Sequence, residues 1–123
     1  MATSKKRIKV KRTYGILSQY AILRLLRTEK LLVDTRNGTT YRKQLDGSLI
    51  ESITYPDHSG RRCIRIQHNG RRRNITRARL VYLAKTNLPI PLGMDVDHID
   101  GNNTNDDSVN LRLLPHAENR GRN

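Results

Sequence analysis

The apolar part of this chain is small and almost entirely aliphatic, which limits the core that it can build. Only 35% of the 123 residues are hydrophobic, Phe and Trp are absent, and five Tyr are the only aromatic residues. A domain of this size buries a smaller share of its surface than a large one does. We therefore expect one modest core of Leu, Ile and Val, and modest stability.

Charge is distributed unevenly along the chain. Lys and Arg number 24 against 11 Asp and Glu, which gives a formal charge of +13. Residues 91–123 hold six acidic and three basic residues, so residues 1–90, with 21 basic and five acidic residues, have a charge of +16. Such a basic excess predicts a polyanionic partner such as nucleic acid. The acidic, amide-rich end is better suited to binding a metal ion.

Cysteine content and hydropathy exclude several classes of protein. Cys63 is the only cysteine, so neither an internal disulfide nor a cysteine-based zinc site can form. The sequence has no stretch of about 18 apolar residues, and its basic start lacks the apolar core and cleavage site of a signal peptide. We expect a soluble, cytoplasmic protein in a reducing compartment, without a membrane partner.

Local patterns in residues 13–48 predict a helix followed by a hairpin. Ser18 is suited to cap a helix whose apolar residues recur at helical spacing until about Lys30. Asn37-Gly38 lies between two short β-rich stretches, 31–34 and 39–42, and this dipeptide supplies the positive φ angles of a tight turn. Residues 1–12, with six basic residues, are predicted to be a mobile arm.

The next segment predicts further strands and a second helix. Residues 49–55 form one β-rich stretch, and 63–67 alternate apolar and polar side chains before a second turn dipeptide, Asn69-Gly70. Thr76 can cap a helix that continues to about Lys85. Two prolines in 88–92 then predict an extended linker. These elements indicate an α+β fold of a helix and small antiparallel hairpins.

The acidic end contains a dense run of acids, amides and one histidine with regular spacing. Its features are Asp97-His98, Asp100-Gly101-Asn102, Asn105, Asn110-Leu111-Arg112 and Asn119. Asn110 lies twelve positions after His98, and Asn119 lies nine positions after Asn110. This run strongly resembles the HNH endonuclease family, in its zinc-free branch common among phage and intron-encoded enzymes.

The resemblance implies a compact ββα-metal motif and a role for each residue. Asp97 and Asn119 are implied as ligands of one Mg²⁺ or Mn²⁺ ion, His98 as the general base, and Asn110 as the residue that orients it. The first strand would contain His98, the second Asn110, and the closing helix Asn119. The chemistry agrees, because phosphodiester hydrolysis needs an activated water and a cation, and a hard divalent ion takes few protein ligands.

The residues themselves support this layout. Gly101 lies where a turn is needed, 109–111 alternate as in a short strand, and Pro115 can open a helix. Adjacent strand residues point to opposite faces, however, so Asp97 and His98 can share one site only if the strand ends or bulges there.

Two positions depart from the family's usual pattern. Ala78-Arg79-Leu80 stands where relatives usually have His-Arg-Leu, and Asn105-Asp106 stands where they often have two asparagines. Asp95 and His116 are minor candidates for metal binding, and an EF-hand is rejected because Val96 and His98 fall on ligand positions.

The predicted nucleic-acid contacts are arginines on the strands, in the second helix and at the end of the chain: Arg65, Arg71, Arg72, Arg73, Arg77, Arg79, Arg120 and Arg122. We predict three parts: the arm 1–12, a basic DNA-gripping region 13–90, and the HNH motif 91–123, the last two forming one compact unit.

The predicted function is metal-dependent hydrolysis of DNA by a monomer or weak homodimer. One site would nick one strand per visit, and the resemblance implies 5′-phosphate and 3′-hydroxyl ends. Two alternatives are a non-catalytic basic nucleic-acid-binding module on an HNH scaffold, and a ribosome-like structural protein, which explains the charge but not the motif.

Overall fold

A computed structural model of the chain describes residues 16–120. The described range is mixed α+β, as predicted, and the predicted arm 1–12 lies outside it. The helices are α1 (Gln19–Arg27), α2 (Arg77–Thr86) and α3 (His116–Arg120). The strands are β1 (Leu31–Val33), β2 (Thr40–Lys43), β3 (Leu49–Glu51), β4 (Thr54–Pro56), β5 (Arg62–His68), β6 (Arg71–Thr76), β7 (Met94–His98) and β8 (Leu111–Pro115), with a 3₁₀ turn at Ser108–Asn110.

The strands form three small antiparallel sheets, ordered β1-β2-β3, β4-β5-β6 and β7-β8. The prediction of one continuous strand over 49–55 was wrong, because the chain changes sheets in the middle of it. Ser52 still donates a backbone hydrogen bond to Thr40 beside β2, whereas Thr54 pairs with Ile64 on β5. Ile53 lies between the two sheets with an exposed side chain.

Both predicted helix caps are confirmed. The Ser18 hydroxyl accepts a hydrogen bond from the Ala21 amide at the start of α1, and the Thr76 hydroxyl accepts one from Arg79 at the start of α2. These oxygens satisfy amides that have no partner within the helix. Helix α1 ends at Arg27, three residues before the predicted end.

The two predicted turn dipeptides behave differently. Asn69 and Gly70 both have positive φ, 51° and 76°, so the β5–β6 turn is of the predicted kind. In the β1–β2 connection only Gly38 has positive φ, 82°, and its amide donates to the Asp34 carbonyl at 2.7 Å. This turn is longer than the predicted two-residue turn.

The core is aliphatic and lies between α1, α2 and the β4-β5-β6 sheet. Ile22, Leu23, Ile64, Leu80 and Leu83 are almost completely buried in it. Side chains of the β7–β8 hairpin, Met94, Val96 and Leu113, pack against the same cluster. The hairpin that contains Asp97 and His98 is therefore fixed to the body of the molecule.

The linker before β7 is tied to the first helix. The Gln19 side chain donates to the Ile90 carbonyl at 3.1 Å and accepts from the Ile90 amide at 3.0 Å, and Ile90 itself is buried in the core. Over residues 16–120, no helix has the length and apolar composition required to cross a bilayer.

Candidate active site

The β7–β8 hairpin places Asp97 and His98 at its end. Pairing is regular, with Asp97 opposite Arg112 and His98 opposite Leu111, so the two side chains leave opposite faces of the strand. Strand β7 ends at His98, and the next amide, Ile99, bonds to the Asn110 carbonyl at 2.8 Å. The strand ends at His98 without a bulge, and the two side chains have different partners: Asp97 contacts Arg112, and His98 contacts Asp106. Asp97 and His98 are both buried residues, at 8% and 7% exposure.

The loop after His98 is built from side chains that imitate backbone turns. Asp100 accepts from the Asn102 amide at 2.8 Å and from the Asn105 side chain at 2.8 Å, and Asn102 accepts from the Thr104 amide at 3.0 Å. Gly101 has a φ of 78°, which favours glycine at this turn. Hydrogen bonds, first from Asn105, then from Asn102 and Asn110, lower the pKa of Asp100. The acidic loop is therefore ordered by polar contacts.

The Asn110 side chain forms hydrogen bonds with this loop and not with the His98 ring. Its amide nitrogen donates to Asp100 and to the Asn105 carbonyl, both at 2.9 Å, and its oxygen accepts from the Asp100 amide at 3.1 Å. The prediction that Asn110 lies on the second strand was wrong: it ends the 3₁₀ turn, because Asp107 caps that turn through Val109. Any effect of Asn110 on His98 passes through the backbone.

The side chain that contacts His98 is Asp106. Its Oδ1 lies 2.7 Å from His98 Nε2, and its Oδ2 accepts from Arg77 Nε at 2.8 Å. Only 1% of the Asp106 side chain is exposed. The predicted site did not include Asp106. The signal was present in the sequence, since Asp106 is one of the two departures from the family pattern.

Asp97 is held by an arginine from the paired strand. Arg112 Nε donates to Asp97 Oδ2 at 2.9 Å. Helix α3, which contains the backbone of Asn119, packs against β7 and β8. The side chains of Asn119 and Arg120 and the whole of Arg122 lie outside the described part, so their predicted roles stay predictions.

The donors predicted for a metal have the right chemistry for a hard divalent ion. One carboxylate and one amide oxygen suit Mg²⁺, which keeps several waters and uses few protein ligands. Among the described residues, no three His, Cys, Asp or Glu side chains are grouped so that they could hold a metal ion.

A pocket beside the hairpin has two arginines, two histidines and one aspartate on its wall. It is lined by Arg61, Thr76, Ala78, Arg79, Asp95, Val96, His98 and His116. Burial, followed by the charge of Arg73, lowers the pKa of the Arg79 guanidinium, while Asp95 opposes this change. An arginine keeps its charge even so, and a bound anion would compensate it. The pocket is large enough for a phosphate group, and the positive charges of Arg61 and Arg79 suit an anion.

The second histidine of this pocket also has an aspartate partner. His116 Nδ1 lies 2.8 Å from Asp95 Oδ2, with 58% of the His116 side chain and 28% of the Asp95 side chain exposed. Sequence analysis gave both residues a minor role in metal binding. The structure brings them together at the mouth of the pocket.

The predicted DNA-contacting arginines fall into two groups. Arg73 donates to the Leu17 carbonyl at 3.1 Å, and Arg77 bonds to Asp106, so both have partners inside the protein. Arg65, Arg71 and Arg72 are exposed on β5 and β6. Two adjoining grooves share a further arginine that the sequence had not singled out, Arg42 on β2. The basic surface therefore extends over both three-stranded sheets.

Comparison with known proteins agrees with this geometry. The sequence model of the HNH endonuclease family matches residues 78–120, from α2 to the end of α3. No curated protein sequence matches the chain. Among solved structures, the structure of the chain is similar to that of the HNH homing endonuclease I-HmuI, a structure that concerns DNA binding and cleavage by that enzyme. The sequence identity is 26% and the TM-score is 0.57.

That similarity covers 73% of this chain and 49% of I-HmuI, so the chain spans about half the length of that protein. The structural similarity covers more of the chain than residues 78–120, which match the family model. It therefore also includes strands that precede residue 78. Residues 78–120 therefore match the HNH endonuclease family, and the fold that surrounds them is similar to that of an HNH homing endonuclease.

Proposed function

We propose that the protein is a metal-dependent endonuclease that hydrolyses phosphodiester bonds in DNA. The observation that supports this best is the position of His98, a buried histidine with an aspartate partner, on the wall of a basic pocket and next to Asp97. A general base must be held in place and must reach the substrate; the contact with Asp106 supports the first condition, and the position of His98 on the pocket wall supports the second. The similarity to I-HmuI, which binds and cleaves DNA, supports the same substrate class.

In this proposal the pocket binds the scissile phosphate. Arg79 and Arg61 would neutralise its charge from the wall of the pocket, where low solvent access strengthens electrostatic attraction. His98 would accept the proton of the attacking water. When bound to Asp97 and Asn119, a divalent ion such as Mg²⁺ or Mn²⁺ supplies positive charge that stabilises the phosphate and the leaving oxygen. The products would have 5′-phosphate and 3′-hydroxyl ends.

The basic strands would hold the duplex around this pocket. Arg42, Arg65, Arg71 and Arg72 are exposed on the outer surface, where contacts to phosphates would position a duplex without reading its bases. We also keep the interpretation of residues 13–90 and 91–123 as one unit, supported by the core that α1, α2 and the hairpin share. One site per chain makes a nick the product of each visit.

The test is conversion of supercoiled plasmid by the purified chain. We expect open-circle product with Mg²⁺ or Mn²⁺, none with EDTA, and a loss of about 10²–10⁴-fold in rate for His98→Ala, the range for a positioned general base. DNA affinity, measured in EDTA, should be the same for both proteins. Equal cleavage by the variant would remove His98 from the mechanism.

One observation favours the non-catalytic alternative. Arg112 already neutralises the Asp97 carboxylate, so the hairpin needs no metal ion to keep that charge paired. If both proteins bind DNA with steep salt dependence and leave every phosphodiester intact across these metals, the chain is a binding module on an HNH scaffold.

A further inference from the structure

We propose that Asp106 is a positioning residue for His98, that it fixes which ring nitrogen carries the proton, and that Arg77 fixes Asp106 in turn. This inference rests on the proposed function, since it assigns His98 the part of the base. It concerns a position where the chain departs from the asparagine that the family resemblance leads one to expect.

The hydrogen bond between His98 and Asp106 has a fixed direction. A carboxylate only accepts hydrogen bonds, so at 2.7 Å from Asp106 Oδ1 the Nε2 atom of His98 must be the donor. A neutral imidazole has one N–H, and Nδ1 therefore keeps the lone pair. Among the side chains that the structure describes, Asp106 is the hydrogen-bond partner of the His98 ring. Asp106 thus leaves Nδ1 as the basic nitrogen.

Asp106 is itself held in position by Arg77. Arg77 donates from Nε to Asp106 Oδ2 at 2.8 Å and from Nη2 to the Thr104 carbonyl at 3.2 Å. Its side chain is 18% exposed and balances the charge of a carboxylate that is almost fully buried. Because Asp106 bridges Arg77 and His98 with one oxygen each, it cannot rotate without losing a partner.

The β1–β2 turn limits the space that Arg77 occupies. A Cβ atom on Gly38 would lie 2.5 Å from Arg77 Cδ and 2.6 Å from Cγ, which is too close for any real contact. The same β1–β2 turn receives a hydrogen bond from Ser108 to the Thr35 carbonyl at 2.8 Å. The turn therefore sets the position of Arg77, and Arg77 sets the position of Asp106.

This arrangement makes an unusual prediction for Asp106→Asn. Arg77 offers only donors, so the amide oxygen must face Arg77 and the amide nitrogen must face His98. That nitrogen would donate to Nε2, the ring proton would move to Nδ1, and the basic lone pair would be lost. Asp106→Ala has no donor to place there, and it would leave the ring free to adopt either tautomer.

The decisive experiment compares Asp106→Asn and Asp106→Ala in the full chain, at saturating DNA with Mg²⁺. We expect kcat to fall about 10–100-fold for Ala, the usual cost of losing a group that orients an active-site side chain. Asp106→Asn should fall further, toward the about 10⁴-fold loss that a wrong histidine tautomer causes in a catalytic triad. A structural role alone gives the reverse order, since asparagine preserves the shape. That reverse order would overturn the proposal.

A second measurement does not depend on cleavage. Nitrogen-15 NMR of labelled His98, without metal and at mildly alkaline pH where free imidazole is neutral, reports the tautomer directly. We expect the Nε2–H form in the natural chain and the Nδ1–H form in Asp106→Asn. If the natural chain has the Nδ1–H form, the proposal fails. If the natural chain has the Nε2–H form but never cuts DNA, the positioning holds and the proposed function fails.

The double variant Arg77→Met/Asp106→Asn tests the contribution of Arg77 and protects against a folding defect of the single variant. Without Arg77 the amide can turn its oxygen toward Nε2–H, so the Nε2–H tautomer should return and kcat should rise above that of Asp106→Asn. A double variant that keeps the Nδ1–H tautomer would show that Arg77 does not fix the orientation at position 106.

Discussion

Two histidines line the same pocket, and each forms a hydrogen bond with an aspartate at almost the same distance. The two pairs differ in their exposure to water. The His98–Asp106 pair has 2.7 Å between its atoms and side chains exposed by 7% and 1%. The His116–Asp95 pair has 2.8 Å, with exposures of 58% and 28%. The first is tied to Arg77 behind it, whereas the second lies at the solvent boundary.

The difference teaches that the distance between two charged groups says little about what the contact does. In water, an exposed pair contributes about 0–1 kcal/mol and its side chains exchange among rotamers. In a buried pair, each charged group depends on its partner to replace the lost hydration. The geometry of the pair is therefore narrowly defined, and removal of one partner strongly destabilises the fold. This contrast supports the proposal that His98, and not His116, is the general base.

The largest expected difference is in stability. Asp106→Ala leaves Arg77 without its carboxylate in a buried place, and we expect a loss of about 3–5 kcal/mol in the free energy of unfolding. Asp95→Ala removes the partner of an exposed histidine, and the loss should stay below about 1 kcal/mol. Urea denaturation of both variants measures this. Similar losses would show that the two pairs are energetically alike and that burial does not distinguish them.

The glycine behind the buried pair provides a second test. Gly38→Ala places a methyl group against Arg77, while Gly47→Ala has nothing within 4 Å and a similar φ, 89° against 82°. Both variants strain the backbone, so their difference isolates the contact with Arg77. We expect Gly38→Ala to cost about 1–3 kcal/mol more, the value of leaving a buried polar group without its partner.

Cleavage separates the same two glycine variants. Gly38→Ala should lower kcat and disturb the His98 tautomer, since it displaces Arg77, and Gly47→Ala should do neither. If both variants cut DNA at the same rate, the β1–β2 turn has no influence on the base.

The sequence predicted those parts of the molecule that depend on neighbouring residues. The caps at Ser18 and Thr76 and the Asn69-Gly70 turn follow from contacts within three or four positions. The end of strand β7 at His98 also follows from nearby residues, because a turn at Gly101 comes directly after it. The split of 49–55 between two sheets was missed, because both halves have the same β-rich composition and only the partner strands differ.

The candidate site shows the same limit. The family spacing indicates His98 and Asp97, but the contact that holds Asp106, the partner of His98, joins a loop and a helix at residues 29 positions apart. Nothing in the alternation of apolar residues encodes an Arg77–Asp106 pair. The single clue, a carboxylate at position 106, acquires a meaning only when its two partners are known.

The exposed pair should have a small effect on catalysis. We expect His116→Ala to lower kcat by at most about fivefold, which corresponds to about 1 kcal/mol for a solvent-exposed pair. Plasmid nicking under the conditions used for His98→Ala measures it. A loss as large as that of His98→Ala would mean that His116 takes part in proton transfer, and the contrast between the two pairs would then fail.

The smallest expected effect is a pH dependence of amide protection in the exposed loop that contains Asp106. The pKa of Asp100 is lowered from its ordinary value of 3.8, chiefly by the Asn105 side chain. A carboxyl group with a lowered pKa stabilises the fold above its unfolded pKa, and this contribution is lost as the pH falls through the folded pKa. The natural chain should therefore keep the Asn102 amide protected at neutral pH and lose this protection below the ordinary range of a carboxyl group.

Asp100→Asn is the matched control, because an amide can still accept from Asn102 but does not titrate. Protection of the Asn102 amide in this variant, followed by NMR hydrogen exchange, should not change over the same acid range. The Arg77 contact to Asp106 does not depend on Asp100, so at neutral pH the variant should retain the His98 tautomer of the natural chain. If the tautomer changes with Asp100→Asn alone, the exposed turn network and not the buried ion pair holds Asp106 in place.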